Sequence, residues 1–321
     1  MPIRKIMLSA VFIMCITLSL IGCSATEQAD SGANKSNQGQ QGRTAGEGGI
    51  SGEEQKAVIS DFNALVKDNG DIQAIIKYVD SNIAKLSPEN ASQMVVGLEK
   101  AQVNYLPQIT DELYSDNNTI AQKFMDEYKP GVDINDAGAI KDKELKELVT
   151  RTKNAGYKVD TAEGMFYPII DYQCYQDYSS RVTPDIKAYI DIMAAESDNP
   201  PAKDAALVIG WDTVLTRALN QEKFINTYLD SVKLADVQML YERYVQFALL
   251  GANNTPLFSY EDKMLSPEAR LSYAKVLAES EPSQLTAIIQ EMLDTAEQNN
   301  DRLTAGVENY RKKCFEELGI D

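Results

Sequence analysis

The densest set of side chains able to hold a ligand lies between Tyr157 and Tyr178, where Tyr157, Phe166, Tyr167, Tyr172, Tyr175 and Tyr178 are interleaved with Glu163, Asp171 and Asp177. A tyrosine combines a flat apolar face with a polar tip, which suits sugar rings, peptides and amines. Carboxylates beside it bond hydroxyls or pair with a cation. Glu163, Tyr167, Asp171, Tyr172 and Tyr175 are therefore candidate binding residues, and Asp171, Tyr172 and Tyr175 fall at spacings that can share a helical face. The plainer alternative is that the rings fasten this segment to neighbouring helices, with hydroxyls at the rim. A second candidate is the loop 253–262, which combines amides, two aromatics and adjacent acids, with Tyr260 as its candidate contact. The alternative there is an ordinary connection pinned by Leu257 and Phe258. Trp211, spaced with Val208 and Leu215, reads as core.

Much familiar chemistry is excluded. The chain has no histidine, so Ser-His-Asp and Cys-His catalysis and ordinary zinc sites are ruled out. What remains is carboxylate-pair hydrolysis, a lysine base or oxygen-ligated calcium. The acidic runs at 115–118 and 133–136 lack the closing Glu and central Gly of a calcium loop and read as turns and caps. No phosphate-binding Gly loop or nucleophile elbow occurs. No metal, cofactor or catalytic residue is expected. Of the four cysteines, Cys174 and Cys314 stand in the body of the chain. They could close a disulfide loop contributing about 4–5 kcal/mol in the chain-entropy model, or serve as two small apolar side chains. Cys314 falls on the apolar face Leu303, Val307, Tyr310, Cys314, Leu318, which favours the second.

The N-terminus carries an address. Arg4 and Lys5 precede an apolar stretch from Ile6 to Ile21, and small Gly22 stands before Cys23. These are the parts of a secretory signal peptide, and the stretch is shorter than the roughly 20 residues of a spanning helix. Leu20-Ile21-Gly22-Cys23 resembles the lipobox of bacterial lipoproteins. That resemblance implies a diacylglyceryl group on Cys23, cleavage before it, and attachment at the extracytoplasmic face of the cell membrane. Ser24 does not match the Asp that favours inner-membrane retention in the Gram-negative pattern, so an outer-membrane location stays open. Loss of Arg4 and Lys5 with residues 1–22 takes the net charge from −17 to −19. Such a chain repels nucleic acid and anionic headgroups, so the lipid must hold it without a polybasic patch. From Ser24 to Gly49 no large apolar residue occurs. Residues 23–50 are thus expected to be a lipidated, disordered polar tether reaching about 25–30 Å.

Helices then follow. Ser51 and Glu54 have the spacing of a capping box, and Val58, Phe62, Leu65 and Val66 follow at helical intervals. Ile72, Ile75, Ile76, Val79 and Ile83 line a second helix. Ser87-Pro88-Glu89, Thr183-Pro184-Asp185 and Ser266-Pro267-Glu268 mark three more starts, each with a capping hydroxyl and a first-turn proline. Further helices are expected at about 116–128, 136–154, 204–230, 234–250 and 283–297, with a last one from about 301. The exception is a β-hairpin near 157–170 around Glu163-Gly164. The expected fold is all-α, a helical-hairpin array or two packed halves, with the hairpin dividing a half at 51–155 from a half at 156–321.

Ala218, Phe224, Tyr228, Leu229, Ser231, Leu240 and Tyr244 are similar in rhythm to tetratricopeptide-like proteins, in which a small residue of one helix meets a bulky one of the next. The similarity covers about 30 residues without a repeating 34-residue period. It implies a helical-hairpin stack with a protein-binding surface. The sequence thus points to a non-enzymatic, membrane-anchored lipoprotein that binds another envelope protein or peptide through its helical domain. The alternatives are a small-ligand or glycan receptor using 157–178, and a carboxylate-dependent cell-wall hydrolase.

Overall fold

The computed structural model describes residues 50–67, 71–114, 119–129 and 131–320. The signal segment, the lipobox with Cys23, the tether and the acidic run 115–118 lie outside the described residues. The protein is mostly helical, with small two-stranded antiparallel sheets. Its first part comprises α1 (Gly52–Lys67), α2 (Ile72–Asn82), α3 (Pro88–Tyr114), α4 (Thr119–Glu127), α5 (Lys143–Asn154), the hairpin β1 (Tyr157–Ala162) and β2 (Met165–Ile170), a 3₁₀ turn Tyr172–Tyr178, and α6 (Pro184–Asp198). There follow the short hairpin β3 (Ala202–Lys203) and β4 (Ala206–Leu207), then α7 (Trp211–Thr227), α8 (Leu234–Leu250), β5 (Gly251–Ala252), β6 (Thr255–Pro256), α9 (Pro267–Glu279), α10 (Gln284–Gln298) and α11 (Ala305–Leu318).

Several helix starts form as their sequences dictate. The Ser51 N–H donates to Glu54 Oε2 at 2.8 Å and the Glu54 N–H returns to Ser51 Oγ at 3.3 Å, the reciprocal capping box. Ser266 accepts from the Ala269 N–H at 3.2 Å ahead of Pro267. Thr183 behaves differently: its hydroxyl turns to Asp185 at 2.5 Å, and its own N–H donates to Ser92 Oγ at 2.8 Å, tying α6 to α3.

Three expected helices begin late, for identifiable reasons. The segment 133–142 is held in turns by carboxylates accepting local amides, Asn135 N–H to Asp133 at 2.8 Å and Gly138 N–H to Asp136 at 2.9 Å. Asn135 also pairs with Val159 in both directions, at 2.7 and 2.9 Å, extending the edge of β1. Helix α5 therefore starts only after Asp142, which caps it. Residues 204–205 both have positive φ and turn β3 into β4, so α7 waits until Trp211. The last helix follows the Thr304 cap.

The buried apolar side chains form two clusters that meet between α6 and α7. The first gathers α1 to α6 with the hairpin, through residues such as Phe62, Leu98, Phe124, Tyr157, Phe166 and Ile190. The second gathers α7 to α11 through Trp211, Leu215, Tyr244, Tyr273, Ile289 and Cys314. Phe224 and Val237 reach back into the first. The hairpin 157–170 is thus a component of the first core, and the cores meet some 40 residues further along than the expected boundary at 155. The reason is local: Tyr157, Val159, Phe166 and Ile170 alternate inward along the strands and bury against helices of the first part. Three hairpin turns clasp one another across this junction. Asp204 accepts from the Glu163 N–H at 3.0 Å, and Asn254 donates its N–H to Ala205 O at 2.8 Å.

Candidate functional site

The tyrosines of 157–178 are directed inward. The 3₁₀ turn after β2 places Tyr172, Tyr175 and Tyr178 on one buried side, and Tyr172 and Tyr175 lie 5.2 Å apart by ring centroid. Their hydroxyls are used. Tyr172 and Tyr189 both donate to Glu99 Oε1, at 2.6 and 2.5 Å. Tyr175 donates to Gln102 Oε1, Tyr157 to the Gln102 carbonyl at 2.6 Å, and Tyr178 to Asp80 at 2.6 Å. Gln102 spends its Nε2 on the Ala155 and Gly156 carbonyls at 2.9 and 3.2 Å. Burial first, and the Glu99 charge after it, hold the Tyr172 phenol well above its usual range. Tyr172 and Tyr175 are therefore packing and hydrogen-bonding members of the first core and do not line an open groove, which corrects the expectation of a recognition surface built on them. Sequence spacing finds the shared face but not which way it points.

The other candidates stand apart. Glu163 is exposed at the β1–β2 turn with φ +50. Tyr167 is half-buried on β2, its phenol pushed up to about 12 by burial and then by Asp160. Asp171 caps the 3₁₀ turn and lies 3.3 Å from Lys158, which is also 2.7 Å from Asp198. Tyr260 is 63% exposed on the loop after β6, where Leu257 and Phe258 are buried as anchors. A polar cavity of about 460 Å³ opens beside the hairpin, and of these six residues Asp171 alone lines it. Of its three lysines, Lys158 is ion-paired to Asp171 and Asp198 and Lys203 to Asp160, while Lys153 donates to the Asn135 carbonyl at 3.2 Å. Cys174 and Cys314 are free, Cys314 buried in the second core.

A second site lies where the two cores meet. Helices α6 and α7 leave a groove of about 380 Å³ between them, within the ~300–1,000 Å³ range of ligand sites. Its lining is drawn from both sides, 188, 191, 192, 195 and 196 from α6, and 217, 220, 221, 223, 224, 227 and 228 from and just after α7, with exposed Lys223 at the rim. At one end Arg217 Nη1 reaches Glu196 at 3.3 Å, the Asn199 carbonyl at 2.8 Å and Tyr244 Oη at 3.0 Å, while Tyr244 donates to Glu196 at 2.6 Å. Burial raises the Glu196 pKa above the ordinary carboxylate value, against the lowering effects of Tyr244 and Arg217. Within the wall, Gln221 is buried and neither of its amide atoms has a hydrogen-bond partner.

Gln221, Glu196 and Arg217 escape sequence reasoning, yet a signal exists. Val214, Ala218, Gln221 and Ile225 share one stripe of α7, and a carboxamide set in an otherwise apolar stripe marks a buried polar demand. Glu99 and Gln102 give the same signal on α3.

Among the described residues no cluster of acids or cysteines could hold a metal ion, and no helix is long and apolar enough to cross a membrane. No protein-family model, curated protein or solved structure matches the chain.

Proposed function

We propose that this chain is a lipid-anchored lipoprotein at the extracytoplasmic face of a bacterial cell membrane, and that its helical body binds another envelope protein or peptide without catalysing a reaction. The location rests on the lipobox resemblance at Leu20-Ile21-Gly22-Cys23 and on the polar stretch after it. The observation that carries the binding role is the groove between α6 and α7, which has an apolar floor and an ion pair at one end. The tetratricopeptide-like rhythm across α7 and α8 agrees with a helical-hairpin arrangement that presents a protein-binding surface. The alternative receptor built on tyrosines is disfavoured, because of its aromatic candidates only Tyr167 and Tyr260 keep exposed area.

The test is chemical cross-linking on intact cells, followed by purification of the full chain from membranes. Recovery of one stoichiometric envelope protein is expected; a chain that cross-links to nothing above background contradicts the reading. Labelling with a radioactive fatty acid, lost in Cys23→Ser together with membrane association, tests the anchor separately.

A further inference from the structure

Hydrogen bonds between segments far apart in sequence gather several helix ends at one end of the fold, and the chain enters the body there. The Ile50 N–H donates to the Lys85 carbonyl at 3.4 Å, and Gln55 Oε1 accepts from the Ser87 N–H at 2.9 Å, which joins the start of α1 to the start of α3. From α3, Ser92 Oγ accepts from the Thr183 N–H at 2.8 Å, at the start of α6. Asp185, two residues further on, accepts from Ser231 Oγ at 2.6 Å, in the turn between α7 and α8. Residue 50 and that turn therefore belong to the same end of the body.

The turn carries Leu229 and Val232, 68% and 75% exposed, two of the three most exposed large apolar side chains among the described residues. Its backbone is braced. The Ser231 N–H donates to the Tyr228 carbonyl at 3.0 Å, the Lys233 N–H donates to Ser231 Oγ at 3.2 Å, and Lys233 Nζ pairs with Glu99 on α3. Two apolar side chains held out on a fixed turn call for an occupant that takes them out of water. Charge nearby is of both signs: exposed Glu89 and Asp230 stand at this end with exposed Lys85 and Arg181. That mixture suits a zwitterionic surface better than a strongly charged partner.

The chain ahead of residue 50 chooses the occupant. A polar stretch of the length 23–49 reaches about 25–30 Å, close to the roughly 25 Å length of the 17-residue α7. A bilayer holding Cys23 is thus within reach of this end, whereas the far end of α7 stands a helix length further off. The anchor also makes the contact intramolecular, so a small apolar footprint is enough.

We propose that this end of the body rests on the bilayer that holds the anchor, with Leu229 and Val232 inserted at the boundary between headgroups and acyl chains. The inference rests on the lipid-anchor reading above and adds the orientation of the body, which sets the α6–α7 groove rising from the membrane surface.

The probe is the full mature chain, purified with its lipid from membranes and reconstituted into vesicles of phosphatidylcholine brominated on its acyl chains. Bromine quenches a tryptophan that enters the bilayer. Trp211, the one tryptophan of the chain, is buried at the start of α7 and supplies the background. Leu229→Trp should add emission that the brominated lipid quenches. Val208→Trp, at a 54% exposed position ahead of α7 and so at its other end, should add emission that the lipid leaves unchanged. Adding Val232→Asp to Leu229→Trp should relieve the quenching, and because these positions are exposed the fold is kept. Vesicle-bound protein in which Leu229→Trp is quenched no more than Val208→Trp overturns the docking and leaves the anchor standing, as does quenching indifferent to Val232→Asp. A chain that does not float with the vesicles overturns the anchor and the docking together.

Discussion

Lys233 at the head of α8 and Glu99 in the middle of α3 meet with Nζ 2.5 Å from Oε2, at side-chain exposures of 11% and 6%. This pair ties the start of α8 to α3. Lys233 also lies 2.9 Å from Asp236 and stands over the Tyr189 ring at 4.6 Å, while the other Glu99 oxygen is held by Tyr172 and Tyr189. Burial alone would lower the lysine pKa, but Glu99 and Asp236 more than offset it and leave it raised.

Lys233→Met strands a buried carboxylate, so it should destabilise the protein by about 3–5 kcal/mol. Adding Glu99→Gln to that variant should recover most of the loss, because the charge that needed compensation is gone. Urea unfolding of the two single variants and the double variant measures this coupling; additive losses would contradict it.

Stability should fall steeply in alkali. The phenols of Tyr172, Tyr175 and Tyr189 are held well above the ordinary 10.0, chiefly by burial, and Tyr167 is pushed to about 12. The folded chain keeps protons that the unfolded chain releases, so this contribution is fully present below about pH 10 and is lost as pH rises through the folded values. Lys233, also raised, acts in the same direction. Tyrosinate absorbance should therefore rise together with loss of helical circular dichroism. Ionisation of these phenols near pH 10 in a still-folded protein would refute the burial described for them.

Gly97→Ala should destabilise the protein despite the higher helix propensity of alanine. A β-carbon at Gly97 would sit 2.6 Å from Phe62 Cε1, where α3 packs on α1. Relieving that overlap in a filled core costs about 1–3 kcal/mol, against a propensity gain of roughly 1 kcal/mol. A thermal melt should show a lower midpoint, whereas a higher one would mean that Phe62 has room to move.

Local chemistry made much of the helical layout readable. Ser51 with Glu54, and Ser266 before Pro267, encode their caps within four residues, and the stripe Leu285, Ile288, Ile289, Met292 is buried as its spacing requires. The false helix starts at 136 and 204 came from polar residues whose partners are remote. Asn135 spends its amide on Val159, and Asp204 accepts from Glu163. The direction of the tyrosine face was hidden for a similar reason, since Glu99 and Gln102, which draw Tyr172 and Tyr175 inward, lie more than 70 positions away. The groove at Gln221 was the least legible feature, because a groove is a gap between two helices and belongs to neither sequence stripe alone.

Site-specific photo-cross-linking in intact cells tests the central claim most directly, with the photoreactive residue placed at Lys223 on the groove rim or at Leu271, an exposed position on α9. The account predicts one discrete membrane-fraction adduct from Lys223 and none from Leu271. Equal adducts from both positions, or no adduct from Lys223, would contradict it.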